Sequence, residues 1–385
     1  MERNSQGSAL AWLGRVLGAA TDGKPRPFLL RPDATDPELL LPLAPRAVTA
    51  ASLLRRHDAR SWRQRVEGRV GRAGARVGGL AMAGGETRDL LPFALVDELA
   101  RRLGEAELVP AITLGPRRRN RKPVLQLLRP DGEIVGFAKV GWSPLTRELV
   151  TREAAILRRI EAHVPAAIVA PSVLLEIDDL ETADGEPLAV AVTTALDPSR
   201  IAAGATVRPR RLPSDWVLQL AGCRGLTTER FAETARRVGQ GCDDALVETL
   251  VERHRDVVVT VGLWHGDLTP WNTLTGRDRA LVWDWEFAAE GRPVGFDLLH
   301  VHFETTRRGG SDATRPALVS VDADAEALLA PAAQLAPPEA VVDLYLLELL
   351  ARETLLQAGG DLPRGMGDLG EPVRRRLRSG GVLDR

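Results

Sequence analysis

Residues 263–286 read Leu-Trp-His-Gly-Asp-Leu-Thr-Pro-Trp-Asn-Thr-Leu-Thr-Gly-Arg-Asp-Arg-Ala-Leu-Val-Trp-Asp-Trp-Glu, and the rest of the chain is best read outward from them. Asp267 is followed five residues on by Asn272 and, twelve beyond that, by Asp284. Two short strand-like runs, 273–275 and 280–283, flank Gly276-Arg277-Asp278-Arg279, which carries turn chemistry, so a β-hairpin is expected between Asn272 and Asp284. A hairpin of that size folds its ends together. Asn272 enters it and Asp284 leaves it, so their side chains can stand side by side, with Asp267 on the preceding loop facing both.

A side-chain amide and a carboxylate supply hard oxygen ligands, which suit Mg²⁺. A third carboxylate kept off the metal can take the proton from a hydroxyl as it attacks phosphorus. The residue types therefore point to phosphoryl transfer. His265, Asp267 and Asn272 together resemble the catalytic loop of the protein-kinase-like superfamily. Gly266 with Asp284-Trp285-Glu286 is similar to the aminoglycoside phosphotransferase and choline kinase branch; protein kinases usually have Arg and Asp-Phe-Gly at those places. A His-Gly-Asp triplet alone is a common loop, whereas the four-residue pattern with a hairpin inside it is far more specific. The resemblance implies an α+β, protein-kinase-like two-lobed fold, with a small antiparallel β-sheet lobe and a larger, mainly helical lobe. It implies ATP and Mg²⁺ as cofactors, Asp267 as catalytic base, Asn272 and Asp284 as metal ligands, and a small-molecule acceptor bearing a hydroxyl.

Upstream, 109–114, 124–128 and 134–140 read as three antiparallel strands, joined by a basic turn at 115–123 and a tight Pro130-Asp131-Gly132-Glu133 turn. Lys139 sits on the third strand among apolar neighbours, where an unpaired charge is costly. Lysine occurs only at Lys24, Lys122 and Lys139 among 51 basic residues, so a lysine here is a chemical choice. A compact ammonium acts as a point charge toward phosphates. Glu153, in the helix-prone run 151–157, is the expected partner, with Glu148 as the competing one. In the resembled family this is the strand-lysine and helix-glutamate pair that grips the ATP phosphates. The first turn would overhang those phosphates through Gly115 and Arg117, although it has a single glycine where protein kinases have several. Strands at 169–177 and 188–195 would complete the sheet, and 193–197 would form the hinge beside the adenine.

Composition is that of an ordinary globular chain, 44% hydrophobic and 27% charged, and a net charge of −1 disfavours a dedicated nucleic-acid binder. Cys223 and Cys242 are too few for a disulfide framework or a zinc site, which fits a reducing cytoplasm. No apolar run approaches the roughly 20 residues of a membrane span, and the start lacks the form of a signal peptide. The arginine bias suggests a GC-rich, bacterial genome. No Gly-x4-Gly-Lys-Ser/Thr loop and no credible Gly-x-Gly-x-x-Gly element is present. No feature fixes an oligomeric state.

The expected division is an N-terminal extension of unknown role at 1–105, a kinase-like N-lobe at 106–197 and a C-lobe at 198–385. In the extension, 8–20 and 90–103 read as helices, 28–30 and 39–43 as paired strands, and the arginine-rich 55–76 as a solvated face. Helices are expected from 216 to 258, with a break at Gly239-Gln240-Gly241, and again from 339 to 358. Segment 291–298 resembles the family's Gly-x-Pro-x-x-Asp-Leu with one extra residue, which implies that Asp297 braces the catalytic loop. His300 and His302 stand at i and i+2, which diverge on a helix, so a metal pair is disfavoured. Trp264 and Trp283 are expected in the core, with Trp271 and Trp285 nearer the chemistry. A second reading from another class is a kinase-like module that binds nucleotide or a protein partner without catalysis.

Overall fold

The computed structural model describes residues 9–18, 24–58, 85–115, 120–197, 212–307, 313–357 and 370–380. The arginine-rich segment expected to be solvated falls largely outside them, as does most of the stretch 198–213. The fold is α+β, and the chain divides into two compact units: Met1–Ala154 with Pro171–Leu196, and Ala155–Ala170 with Asp197–Arg385.

The first unit is built on one antiparallel sheet. Its elements in chain order are α1 (Ala9–Leu17), β1 (Arg26–Arg31), β2 (Leu39–Pro42), α2 (Arg46–Asp58), β3 (Glu86–Leu90), α3 (Ala94–Leu103), β4 (Val109–Thr113), β5 (Val124–Leu128) and β6 (Ile134–Gly141). The long helix α4 (Pro144–Ile160) then leads through β7 (Ile168–Val169) of the second unit to β8 (Val173–Glu181) and β9 (Pro187–Thr194). Strand order is β3-β1-β2-β4-β5-β6-β9-β8. Alternation along the strands sorts the two faces. Leu125, Leu127, Ala138, Val140, Val190 and Val192 face α1 and α3, meeting Leu13, Val16, Leu17, Leu95, Val96 and Leu99. Each such leucine or valine, fully buried, contributes about 1.5–3 kcal/mol. On the other face α4 lays Val150 and Ala154 on Ala189 and Ala191.

Two expectations change here. The first hundred residues do not form a body apart from the sheet, because β2 pairs with β4 through Leu39↔Thr113 and Leu40↔Ile112, and β1 and β3 extend the sheet beyond it. The run 39–43 was legible as a strand, but its partner lies some seventy residues on, and no local pattern encodes that. Ile168–Val169 also leaves this sheet and pairs in parallel with a strand of the second unit.

The second unit comprises α5 (Ser214–Gly222), β10 (Thr227–Arg230), α6 (Phe231–Val238), α7 (Asp244–Arg253), β11 (Val258–Trp264), β12 (Thr273–Thr275), β13 (Ala280–Val282), β14 (Ala289–Pro293), α8 (Phe296–Arg307), α9 (Thr314–Leu329), α10 (Pro338–Gln357) and α11 (Gly370–Ser379). Helix α10 is buried on nearly every side from Ala340 to Leu350, the signature of a central helix. It packs with α6, α7, α8, α9 and α11 around Tyr345, Phe296, Phe303 and Trp264. The helical reading of 216–258 holds for α5, α6 and α7 with the break at Gly239, but β10 interrupts it. The loop that follows is reached from a strand, not a helix: β11 lies between β10 and β14 in a three-stranded sheet.

A second set of polar contacts ties these helices together. Asp343 on α10 is fully buried and accepts hydrogen bonds from Arg253 Nη1 at 2.9 Å and Arg376 Nη1 at 3.0 Å, with His254 Nε2 at 2.9 Å. Arg376 also grips Asp322 of α9 through Nε at 2.8 Å and Nη2 at 3.0 Å.

Candidate active site

The hairpin expected between Asn272 and Asp284 is present. Strands β12 and β13 pair through Thr273↔Val282, Leu274↔Leu281 and Thr275↔Ala280, and the Gly276 N–H closes the turn on the Arg279 carbonyl at 2.8 Å. One step before the ladder, the Trp283 N–H donates to the Asn272 carbonyl at 3.1 Å. That bond brings the backbone of Asn272 next to the residue preceding Asp284. Asp284 itself has φ +69°, the one non-glycine with positive φ among the described residues. Aspartate tolerates that region better than most side chains, and such conformations persist where the surroundings impose them, often at functional sites.

The loop before the hairpin is held from several sides. Leu268 and Thr269 are buried, the Thr269 N–H donates to the Asp267 carbonyl at 2.8 Å, and the Asn272 N–H donates to the Thr269 carbonyl at 3.0 Å. Gly266 has φ +84°, and a Cβ there would lie 2.4 Å from the Phe287 carbonyl oxygen, so no larger residue fits without moving the chain. Asp297, at the start of α8, accepts from the backbone N–H of His265 at 3.0 Å and of Gly266 at 3.3 Å, the bracing contact expected of it. His265 is buried, packs on Trp285 with ring centroids 4.4 Å apart, and accepts the Asp267 N–H on Nδ1 at 3.2 Å.

Asn272 Nδ2 donates to Asp267 Oδ2 at 2.7 Å and to the Asp267 carbonyl at 3.0 Å. The amide group is thereby oriented, and its oxygen is the donor atom left for a cation. Asp267 keeps a quarter of its side-chain surface exposed, so its carboxylate can be reached from solvent. Enclosure by the protein, then the negative charge of Asp284, pushes its pKa up to about 7, against the pull of Arg352 and of the Asn272 hydrogen bond. Burial likewise raises Asp297 to about 7, while the two backbone N–H donors and Arg352 oppose the shift.

In the first unit, Lys139 stands opposite Ala191 on β9, on the face where α4 packs. Helix α4 brings Glu153 to it: Lys139 Nζ lies 2.8 Å from Oε1 and 2.6 Å from Oε2. Glu153 is buried and the lysine half-buried, so each depends on the other for its charge. The competing Glu148 pairs instead with Arg152 one turn away. Gly115 follows β4 with φ +67°, its N–H on the Glu38 carbonyl. Arg117 lies outside the described residues. The chain passes from the first unit to the second between Leu196 and Asp197, within the segment expected as a hinge.

No protein-family model and no curated protein matches the chain. Among solved structures it is similar to a thermostable mutant of the aminoglycoside phosphotransferase APH(4)-Ia in ternary complex with AMP-PNP and hygromycin B, at 16% identity and a TM-score of 0.44, covering 75% of this chain and 99% of that one. It is also similar to the choline kinase LicA from Streptococcus pneumoniae, at 13% identity and a TM-score of 0.39, covering 74% and 98%. A third is the macrolide 2'-phosphotransferase MphH from Brachybacterium faecium, at 18% identity and a TM-score of 0.33, covering 75% and 93%. Among the described residues no helix is long and apolar enough to cross a membrane.

Two residues around Asp267, Arg352 and His300, carried no sequence signal for that role. Arg352 of α10 donates Nη1 to the Gly266 carbonyl at 2.9 Å and is stacked between Trp264 and Phe287, its guanidinium carbon 4.6 Å and 4.4 Å from their ring centroids. It is one of 51 basic residues and stands 86 residues from its partner. His300 Nε2 lies 3.5 Å from Asp267 Oδ1, with Nδ1 3.0 Å from the Tyr345 hydroxyl. His302 points elsewhere, to Ser320 and Asp324, so the two histidines diverge as their spacing requires. Trp264 and Trp285 are both fully buried, which makes Trp285 a packing residue behind His265, while Trp283 is only partly buried.

Proposed function

We propose that this protein is an ATP-dependent phosphotransferase that moves the γ-phosphoryl group of Mg-ATP to a hydroxyl of a small molecule. The observation that supports this reading is the bonding of the loop to the hairpin: the Asn272 amide donates to the Asp267 carboxylate at 2.7 Å, and the Trp283 N–H, one residue before Asp284, donates to the Asn272 carbonyl at 3.1 Å. Asp267 would take the proton of the acceptor hydroxyl as its oxygen bonds to the γ-phosphorus. The bond from that phosphorus to the bridging oxygen breaks, and ADP leaves with the electron pair. The oxygens of Asn272 and Asp284 would hold Mg²⁺, which when bound offsets charge on the phosphates. Lys139, fixed by Glu153, would contact the α- and β-phosphates, with Gly115 and Arg117 in the turn above them. Positioning and charge neutralisation supply most of the rate in such chemistry.

The acceptor class is a sugar, polyol, amino alcohol or aminoglycoside. The setting proposed is a bacterial cytoplasm. The test is magnesium-dependent ATP consumption across a panel of these compounds, with Asp267→Asn as control. Stimulation by one class, abolished in the variant, is the expected outcome. Tight magnesium-dependent ATP binding with no turnover on any acceptor would favour the non-catalytic module, and turnover that survives Asp267→Asn in a folded protein would remove Asp267 as the base.

A further inference from the structure

Helix α8 sends two side chains to the same loop. Asp297 and His300 are i and i+3 neighbours, which share a helix face. Asp297 holds the backbone of His265 and Gly266; His300 faces the carboxylate one residue further on, Nε2 to Asp267 Oδ1 at 3.5 Å. The ring is only 3% exposed and is fixed by edge-on packing against Trp264 and Tyr345, at centroid distances of 6.1 Å each. Its other nitrogen meets the buried Tyr345 hydroxyl at 3.0 Å.

The tautomer follows from these neighbours. Burial, then the positive charge of Arg352, lowers the His300 pKa to about 3, so the imidazole is neutral and carries one N–H. Once Asp267 is ionised, above about pH 7, its carboxylate only accepts hydrogen bonds, so a bare Nε2 lone pair facing it would be repelled. Tyr345, whose burial raises its pKa well above the ordinary value, stays a phenol and can donate to Nδ1. We propose that His300 is a positioning residue for Asp267: Tyr345 donates to Nδ1, and the N–H on Nε2 faces Oδ1. Asn272 holds the other oxygen. The carboxylate is then fixed from both sides, and its remaining lone pairs have one direction in which to meet an acceptor hydroxyl. At 3.5 Å the pair is longer than a formed N–H···O bond, and catalytic contacts of this kind tighten as the reacting groups assemble. A neutral histidine orients the base without adding a positive charge that would weaken it.

This inference rests on the phosphotransferase reading for its meaning, but its first test does not need an acceptor. The full chain labelled with ¹⁵N-histidine has six imidazoles, few enough to resolve, and His300→Gln assigns the one in question. The expected spectrum shows the Nε2–H tautomer at pH 8, where the Asp267 carboxylate is ionised. Tyr345→Phe should move the Nδ1 resonance, and Asp267→Asn the Nε2 resonance. An Nδ1–H tautomer, or an Nε2 signal indifferent to Asp267→Asn, would overturn the assignment while leaving the phosphotransferase reading intact. In ATP consumption with magnesium and pooled sugars, polyols, amino alcohols and aminoglycosides, His300→Leu should lower kcat on the order of 10- to 100-fold with the KM for ATP unchanged. His300→Gln, which keeps an N–H at similar reach, should recover part of it. Equal loss in both variants, or a loss confined to KM, would reduce His300 to a packing residue. A wild-type protein inert on the whole pool would count against the function proposed above, and the tautomer would still stand or fall by its spectrum.

Discussion

Asp267 and Asp343 lie in the same helical unit and are opposites in their treatment. Asp343 has no exposed surface and is met by two arginines and a histidine; burial pushes its carboxyl up, but the hydrogen bonds and charges of His254, Arg376 and Arg253 outweigh it and hold the pKa below the ordinary carboxylate range. Asp267 has a neutral amide on one oxygen, a neutral imidazole near the other, and Asp284 and Glu286 adding negative charge nearby, and its pKa rises to about 7. One aspartate is fully compensated and ties α7, α9, α10 and α11 together. Among the described residues the other has no direct cationic partner, which weakens the fold locally and leaves a group able to take a proton near neutrality.

The comparison can be broken most sharply at Asp267. Asp267→Asn is expected to cut turnover by about 10²–10⁴-fold, measured with the best acceptor of the panel. In chelator the same variant should be more stable than wild type at neutral pH. The sign is fixed by linkage: the folded pKa of about 7 exceeds the unfolded value of about 3.9, so the folded state binds the extra proton and wild type loses stability as pH rises through that window. Thermal melts of both proteins at pH 5 and pH 8 check this. Asp343→Ala should do the reverse, costing about 3–5 kcal/mol in denaturant titrations because Arg376 and Arg253 lose a buried partner, with turnover per folded molecule unchanged.

Arg352→Met sits between the two. It removes a charged hydrogen bond to the Gly266 carbonyl and should cost about 1.5–3 kcal/mol of stability, with turnover also falling because the loop loses a support; full turnover would mean that Asp297 alone is sufficient. The smallest effect is acid sensitivity. Asp343 titrates lower in the folded state than in the unfolded one, so its stabilisation is complete above the unfolded value of about 3.9 and is lost as pH falls through the folded value. The slope of stability against pH below 4 should flatten in Asp343→Asn.

Much of this was legible where the signal is local. The 272–284 hairpin announced itself through a four-residue turn between two short strands, and the pairing of Lys139 with Glu153 through the rarity of lysine and a helix fourteen residues on. Asp297 followed from a segment resemblance. What was hidden depends on distant partners. Strand β11 meets β14 about thirty residues later, β2 meets β4 some seventy residues later, and Arg352 reaches Gly266 across 86 residues. His300 was weighed only as a metal ligand with His302. Its relation to Asp267 depends on α8 presenting Asp297 and His300 together, and on a tyrosine 45 residues away.

The pairing of β2 with β4 also governs where the chain can be shortened. A protein beginning near residue 106 would lay bare the hydrogen-bonding edge of β4, along with the apolar Val109, Ala111 and Ile112 that β1, β2 and α2 now help to cover. An uncovered, apolar edge of that kind recruits strands from other molecules. Residues that looked like an appendage thus serve as a selvedge, finishing the sheet so that it does not fray into aggregates.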